Sequence, residues 1–185
     1  DDPSILLALV DLERLPRLVE RLGDEQEFLS PYGVRALSAA YRGRPYELWQ
    51  DGHVVATVDY EPAESTTALF GGNSNWRGPI WFPVNILLIT ALHTYHHHVG
   101  EDYRLEFPRG SGRMLTLRDI AHELTDRLIA IFLPGPDGRR PVFGGIERFQ
   151  TDPAWRDDLL FHEYFNGDDG AGLGASHQTG GTGLV

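Results

Sequence analysis

Neither cysteine nor lysine occurs in this sequence: all 16 basic residues are arginine. The first absence excludes disulfides, thiol nucleophiles and Cys-ligated zinc or iron–sulfur clusters. The second excludes a catalytic or Schiff-base lysine, and it suits a GC-rich genome. Long apolar runs are missing too, since none approaches the roughly 18 residues that mark a membrane span. No secretory leader pattern is legible at the start of the chain, which opens on Asp1. Positive charge is scarce, with 27 acidic residues against 16 basic ones and a net charge of -11. That balance argues against nucleic acid, whose phosphates reward Lys and Arg, and against an anionic membrane surface.

What is present is an ordinary folded composition, 41% hydrophobic and 11% aromatic over 185 residues. A domain of that size buries roughly 70% of its unfolded surface. Apolar residues at Leu12, Leu15, Leu18, Val19 and Leu22 give helical spacing within 5–22, with Pro16 fitting only near a helix start. Residues 28–44 read as an irregular loop. Residues 46–60 predict a hairpin turning at Asp51-Gly52, a favoured two-residue turn between strand-forming runs. Helical spacing returns over 84–98 and again over 116–133. Thr116 with Asp119 predicts a helix cap (Asp in place of the usual Glu), and Pro134 and Pro136 predict the stop. A short helix is expected over about 155–165, ahead of a glycine-rich tail at 167–185. The expected fold is therefore mainly α with one small hairpin, organised as a single partial domain over 1–185.

Two segments carry candidate chemistry. The first, Gly71-Gly-Asn-Ser-Asn-Trp-Arg-Gly-Pro-Ile-Trp81, sets Trp76, Trp81, Arg77, Asn73 and Asn75 close together. A sugar offers C–H faces to aromatic rings and hydroxyls to Arg and amide groups, so this mixture suits one. The same tryptophans equally suit a packing loop that seals helix ends. The second spans 161–180, where Glu163 lies among Phe161, Tyr164 and Phe165. Burial there would raise its pKa and suit it to acid or base work; an exposed helix carboxylate is the other reading. Asp168 and Asp169 are expected as solvated turn residues. The run His96-His97-His98, with His93 and His97 one turn apart, shows neither a third ligand nor a supporting shell. No metal and no cofactor are expected.

The Asn-Trp-Arg-Gly-Pro-Ile-Trp segment at 75–81 and the stretch from Glu163-Tyr-Phe to Gly180 resemble glycoside hydrolase family 63. That family includes processing α-glucosidase I and bacterial hydrolases of glucosylglycerate and mannosylglycerate. The likeness covers nearly the whole chain and looks closest to the bacterial members. It implies the C-terminal part of an (α/α)6 toroid with a small hairpin insertion, and α-glycoside hydrolysis with inversion. It assigns Glu163 as general base and places Trp76 and Trp81 in the glucose pocket. Arg77 is inferred to bind sugar hydroxyls or orient Glu163, and Asn75, Tyr164, His177 and Gln178 complete the expected substrate contacts.

The sequence also departs from the family. The segment that carries the family's acidic Asp has no match here, and Asp59, Glu61 and Glu64 lack its motif. The expected acid therefore lies upstream of Asp1, making the chain the last third to half of an enzyme. Gly181 stands where the family has Trp in Gly-Trp-Thr-Gly. The leading expectation is the catalytic portion of an inverting α-glucosidase, with a small α-glucoside as partner, no nucleic acid and no membrane. Self-association through exposed helix faces is expected, as is a bacterial cytoplasmic setting. The alternatives are a non-catalytic carbohydrate-binding or scaffold protein, and a helical interaction domain without sugar affinity.

Overall fold

Thr116 and Asp119 cap each other at the start of the helix that organises the chain. In the computed structural model, which describes residues 6–67, 75–178 and 180–183, the Thr116 hydroxyl accepts the Asp119 N–H at 3.1 Å. The Asp119 carboxylate accepts the Thr116 N–H and hydroxyl in return. These bonds satisfy donors that a helix start otherwise leaves orphaned, and the Thr116 bond holds the Asp119 carboxyl below its ordinary pKa. The helix α3 (Leu117–Ala130) buries Leu117, Ile120, Ala121, Leu124 and Leu128 on one stripe. Thr116→Ala is expected to cost about 1 kcal/mol, checked by urea unfolding against wild type.

The chain order is α1 (Leu15–Leu22), β1 (Leu29–Ser30), β2 (Gly33–Val34), β3 (Tyr46–Gln50), β4 (His53–Val58), α2 (Phe82–Val99), β5 (Arg104–Glu106), β6 (Met114–Thr116), α3, α4 (Glu147–Thr151), β7 (Tyr164–Phe165) and β8 (Gly172–Leu173). Helix α2 packs against α3, and among the described residues the strands pair with their neighbours in sequence as four antiparallel two-stranded sheets. The fold is thus helix-rich with small sheets, none of which closes into a barrel. No helix among the described residues is long and apolar enough to cross a membrane.

Two apolar clusters share α3. Its first half meets Leu15, Val19, Leu29, Val34, Leu92 and Phe107. Its far end meets Ile80, Phe82, Phe132, Val142, Phe143 and Phe165. Asn85 fastens β2 to α2 from within: its Oδ1 accepts the Val34 N–H at 2.7 Å, and its Nδ2 donates to Val34 O and Trp81 O. A buried amide with every polar end engaged costs little and specifies one register. The opposite flank of α2 leaves Val84 and Leu87 exposed.

Several expectations are corrected. The hairpin turns at Asp51-Gly52 as expected, both residues with positive φ, which is the geometry that turn requires. The 28–44 region is more ordered than a loop, because β1 and β2 pair within it. The first helix is only α1, with Pro16 in its first turn. No helix spans 155–165. There Glu163 N–H donates to Ala175 O, Phe165 N–H to Ile80 O and Asn166 N–H to Ala171 O. Those donors serve chain lying across, so the backbone from 163 on is extended, while residues 153–157 form only a turn in which Arg156 N–H donates to Asp152 O.

Candidate active site

A single antiparallel bridge unites the two segments singled out above. Ile80 N–H donates to Phe165 O at 2.8 Å, and Phe165 N–H to Ile80 O at 3.0 Å. Side chains alternate along extended chain, so the pair 80 and 165 enters the core while Trp81 and Tyr164 point the other way. The Trp81 and Tyr164 rings stack with centroids 4.9 Å apart, and Trp76 stacks on Trp81 at 3.9 Å and 4°. Trp81 is buried, its Nε1 donating to Asn75 O. Trp76 is 46% exposed. Of the two tryptophans, Trp76 therefore carries the ring surface open to a ligand.

Glu163 sits at the edge of this stack, half-buried in the strand-like segment that leads into β7. The Ala175 N–H reaches its Oε2 at 3.5 Å. Gly174 makes room: a Cβ there would lie 2.8 Å from Glu163 Oε2, and its φ of 68° suits glycine. Burial raises the Tyr164 hydroxyl above its ordinary pKa, with the charges of Glu64 and Glu163 adding to it. Beside Glu163, burial holds the His162 imidazole low and so favours its neutral form, assisted by His177. His177 is exposed, with Nδ1 2.8 Å from Ser176 Oγ. Gln178 is exposed and fixed through its backbone to Phe161 O.

Arg77 and Asn75 work on a different loop. Arg77 is 3% exposed, and its guanidinium pairs with Glu61 at 2.8 Å and donates to Thr67 Oγ1 and Ser65 Oγ. Asn75 donates through Nδ2 to Glu61 O and Ala63 O, while its Oδ1 accepts the Arg77 N–H. Both side chains thus hold residues 61–67 against the stack, and the partner of the Arg77 guanidinium is Glu61, not Glu163. Asn73 lies outside the described residues.

Asp168 is not the solvated turn residue expected. Its carboxylate accepts the Tyr60 hydroxyl at 2.8 Å and pairs with Arg42 at 2.5 Å and Arg35 at 3.8 Å. Gly167 N–H donates to Pro62 O alongside. Tyr60 is buried, and that burial pushes its hydroxyl up to about 12. The loop after β7 and the loop after Tyr60 are therefore stapled together. Sequence reasoning missed Tyr60, Asp168 and the role of Glu61, since their partners lie far along the chain. Asp169 is exposed as expected. In the histidine run, His93 lies against His122 and His96 faces Glu101. Among the described residues no group of three metal-ligating side chains converges.

The sequence model of a family described as mannosylglycerate hydrolase MGH1-like glycoside hydrolase domain matches residues 4–179. An uncharacterized protein of Saccharomyces cerevisiae, YMR196W, is 49% identical over 183 residues, 98% of this chain and 17% of that protein. A protein of Schizosaccharomyces pombe named probable mannosyl-oligosaccharide glucosidase is 26% identical over 176 residues, 95% of this chain and 15% of its own length. The chain thus spans about a sixth of the length of these relatives. They also correct one expectation. The bacterial cytoplasmic setting is overturned, because both relatives are eukaryotic, from yeasts.

Proposed function

This chain belongs to the mannosylglycerate hydrolase MGH1-like glycoside hydrolase family, as the likeness to glycoside hydrolase family 63 implied, and from that premise we propose that it is a catalytic portion of an inverting α-glucosidase. The observation that carries the reading is the junction at Ile80 and Phe165, which sets Glu163 at the edge of the Trp76–Trp81–Tyr164 stack. An inverting hydrolase needs a carboxylate base and a carboxylic acid about 6.5–9.5 Å apart, with a water between the base and the anomeric carbon. Glu163 takes the base role: it removes a proton from that water as the oxygen attacks. The glycosidic bond breaks on the opposite face, and the leaving oxygen takes its proton from an acid that we assign to chain beyond residues 1–185. The outer face of Trp76 supports the C–H face of the sugar, and His177 and Gln178, both exposed, reach its hydroxyls. Helices α2 and α3 then form one pair of helices of an (α/α)6 toroid. The exposed Val84 and Leu87 flank of α2 supports self-association of the chain in isolation.

The test is sugar release from α-glucosides and α-mannosides by the full-length protein and its Glu163→Gln form. Loss of release in the variant supports the base. Equal release from both forms overturns it. Sugar binding without release from either form moves the protein to the carbohydrate-binding reading.

A further inference from the structure

Residues 61–67 form a loop in which almost every group is tied down. The Glu61 carboxylate accepts the Thr66 N–H at 3.0 Å and its hydroxyl at 2.7 Å, and it pairs with Arg77. The Glu61 and Ala63 carbonyls are held by Asn75. The Pro62 carbonyl accepts the Gly167 N–H. Ser65 accepts from Arg77 and donates to Thr67 O. One side chain of this loop stands apart. Glu64 is exposed, and its carboxylate has no hydrogen-bond or ion-pair partner among the described residues.

Among the described residues nothing rewards placing that charge there. Asn75, which holds the Ala63 carbonyl through Nδ2, also accepts the Trp81 Nε1–H at its own carbonyl, so the residue before Glu64 is tied to the aromatic stack, and the charges of Glu64 and Glu163 both raise the Tyr164 hydroxyl. Repulsion between the two carboxylates is modest in water, and among the described residues no ion pair of Glu64 offsets it. Several independent ties nevertheless hold its neighbours in place, two of them using the buried side chains Asn75 and Arg77. A carboxylate carried on a fastened loop beside aromatic rings suits a polyhydroxyl ligand: it accepts hydrogen bonds from hydroxyls, while a ring supports the C–H face. Hydrogen bonds to a charged group are also the stronger kind.

Resting on the reading of this site as a glycosidase, we propose that Glu64 is a substrate-binding residue, a second carboxylate that accepts hydrogen bonds from hydroxyls of the bound sugar. Asn75 and Arg77 are its positioning residues. Their part is to hold the loop that presents it, and this gives the Arg77–Glu61 pair a purpose in the site without any contact to sugar.

The experiment uses the full-length protein with mannosylglycerate, glucosylglycerate and an α-glucobiose as probes. Glu64→Gln removes the charge and keeps the shape. It is expected to raise KM about tenfold with a smaller effect on kcat, the signature of lost binding rather than lost chemistry. In the Glu163→Gln background, sugar binding followed by tryptophan fluorescence is expected to weaken by the same factor when Glu64→Gln is added. Thermal unfolding is expected to be unchanged, because the side chain is exposed and pairs with no described residue. Equal KM and equal binding with and without the Glu64 charge overturn the proposal, and a drop in melting temperature that accounts for the loss does so too. The outcomes separate this inference from the one beneath it. If Glu163→Gln remains active while Glu64→Gln weakens binding, the base assignment falls and Glu64 stands. If Glu163→Gln is inactive and Glu64→Gln resembles wild type, Glu64 falls alone. If no probe binds or is hydrolysed, both fall.

Discussion

Glu163→Gln in the full-length protein is expected to lower kcat for sugar release by about a thousandfold, within the range that a positioned general base contributes. Gln keeps the size and planarity of the side chain, so the close approach over Gly174 survives. The Glu163 N–H bond to Ala175 O belongs to the backbone and is untouched. What disappears is the capacity to take a proton from water. KM and the affinity for sugar are therefore expected to stay within a few fold of wild type, because the aromatic stack remains. Trp76→Ala gives the complementary result. With the exposed ring gone, binding is expected to weaken by about tenfold to a hundredfold, as for loss of a stacked aromatic contact worth about 1–3 kcal/mol, while Trp81, uncovered on one face, keeps its stack on Tyr164. A Glu163→Gln protein that turns over at the wild-type rate would remove the residue from the chemistry. A wild-type protein that binds sugar and never releases it would make the stack a binding platform.

How much of this was legible in the sequence follows from the range of each interaction. The Asp51-Gly52 turn and the Thr116–Asp119 cap involve neighbours, and their residue types alone state the geometry. The stripe of α3 is visible because its apolar spacing has the helical period, whereas α2 is apolar on more than one flank and buries Phe82, Asn85 and Leu92 while Val84 and Leu87, expected inward, stay exposed. The stretch 155–165 misled for the same reason. A few apolar residues in a short window match a helix as well as a strand, and the decisive facts are the Ile80 and Ala175 carbonyls, which only the fold brings near. The site divides in the same way. Trp76, Trp81 and Glu163 stood out by type, and the stack between Trp81 and Tyr164 follows once Ile80 meets Phe165. Arg77 looked like a sugar-binding fork because its carboxylate partner, Glu61, lies on the far side of a glycine-rich loop. Asp168 looked solvated because Tyr60, Arg35 and Arg42 come from distant segments.

Asp168→Ala is expected to lower stability by about 2–3 kcal/mol, less than breaking a fully buried charged pair since the carboxylate is partly open to water. Arg35 is 8% exposed, and although its NH1 reaches the Glu25, Glu27 and Leu29 carbonyls, its one carboxylate partner among the described residues is Asp168. Truncation leaves that charge buried and leaves the Tyr60 hydroxyl without its acceptor. A protein of this size loses about 2–4 °C of melting temperature per kcal/mol, so a drop of about 5–10 °C is expected. Arg42 adds little to this, being largely exposed itself. Tyr60→Phe separates the contributions: it leaves both ion pairs in place and is expected to cost about 1 kcal/mol for a single hydrogen bond. The same pair sets an alkaline limit. The Tyr60 hydroxyl is raised to about 12 in the fold from an ordinary value of 10.0, so between those values the unfolded chain releases a proton that the native state retains. Fewer protons on the unfolded chain mean that stability falls as pH rises. That contribution is complete below pH 10 and is lost as pH approaches 12. Melts recorded across this window are expected to decline steeply for wild type and less steeply for Tyr60→Phe. Since the tie holds the loop that follows Glu163 and β7 against the loop bearing Glu64, Asp168→Ala is also expected to reduce turnover at temperatures well below its own melt. Full turnover there would mean that the two loops keep their places without the staple.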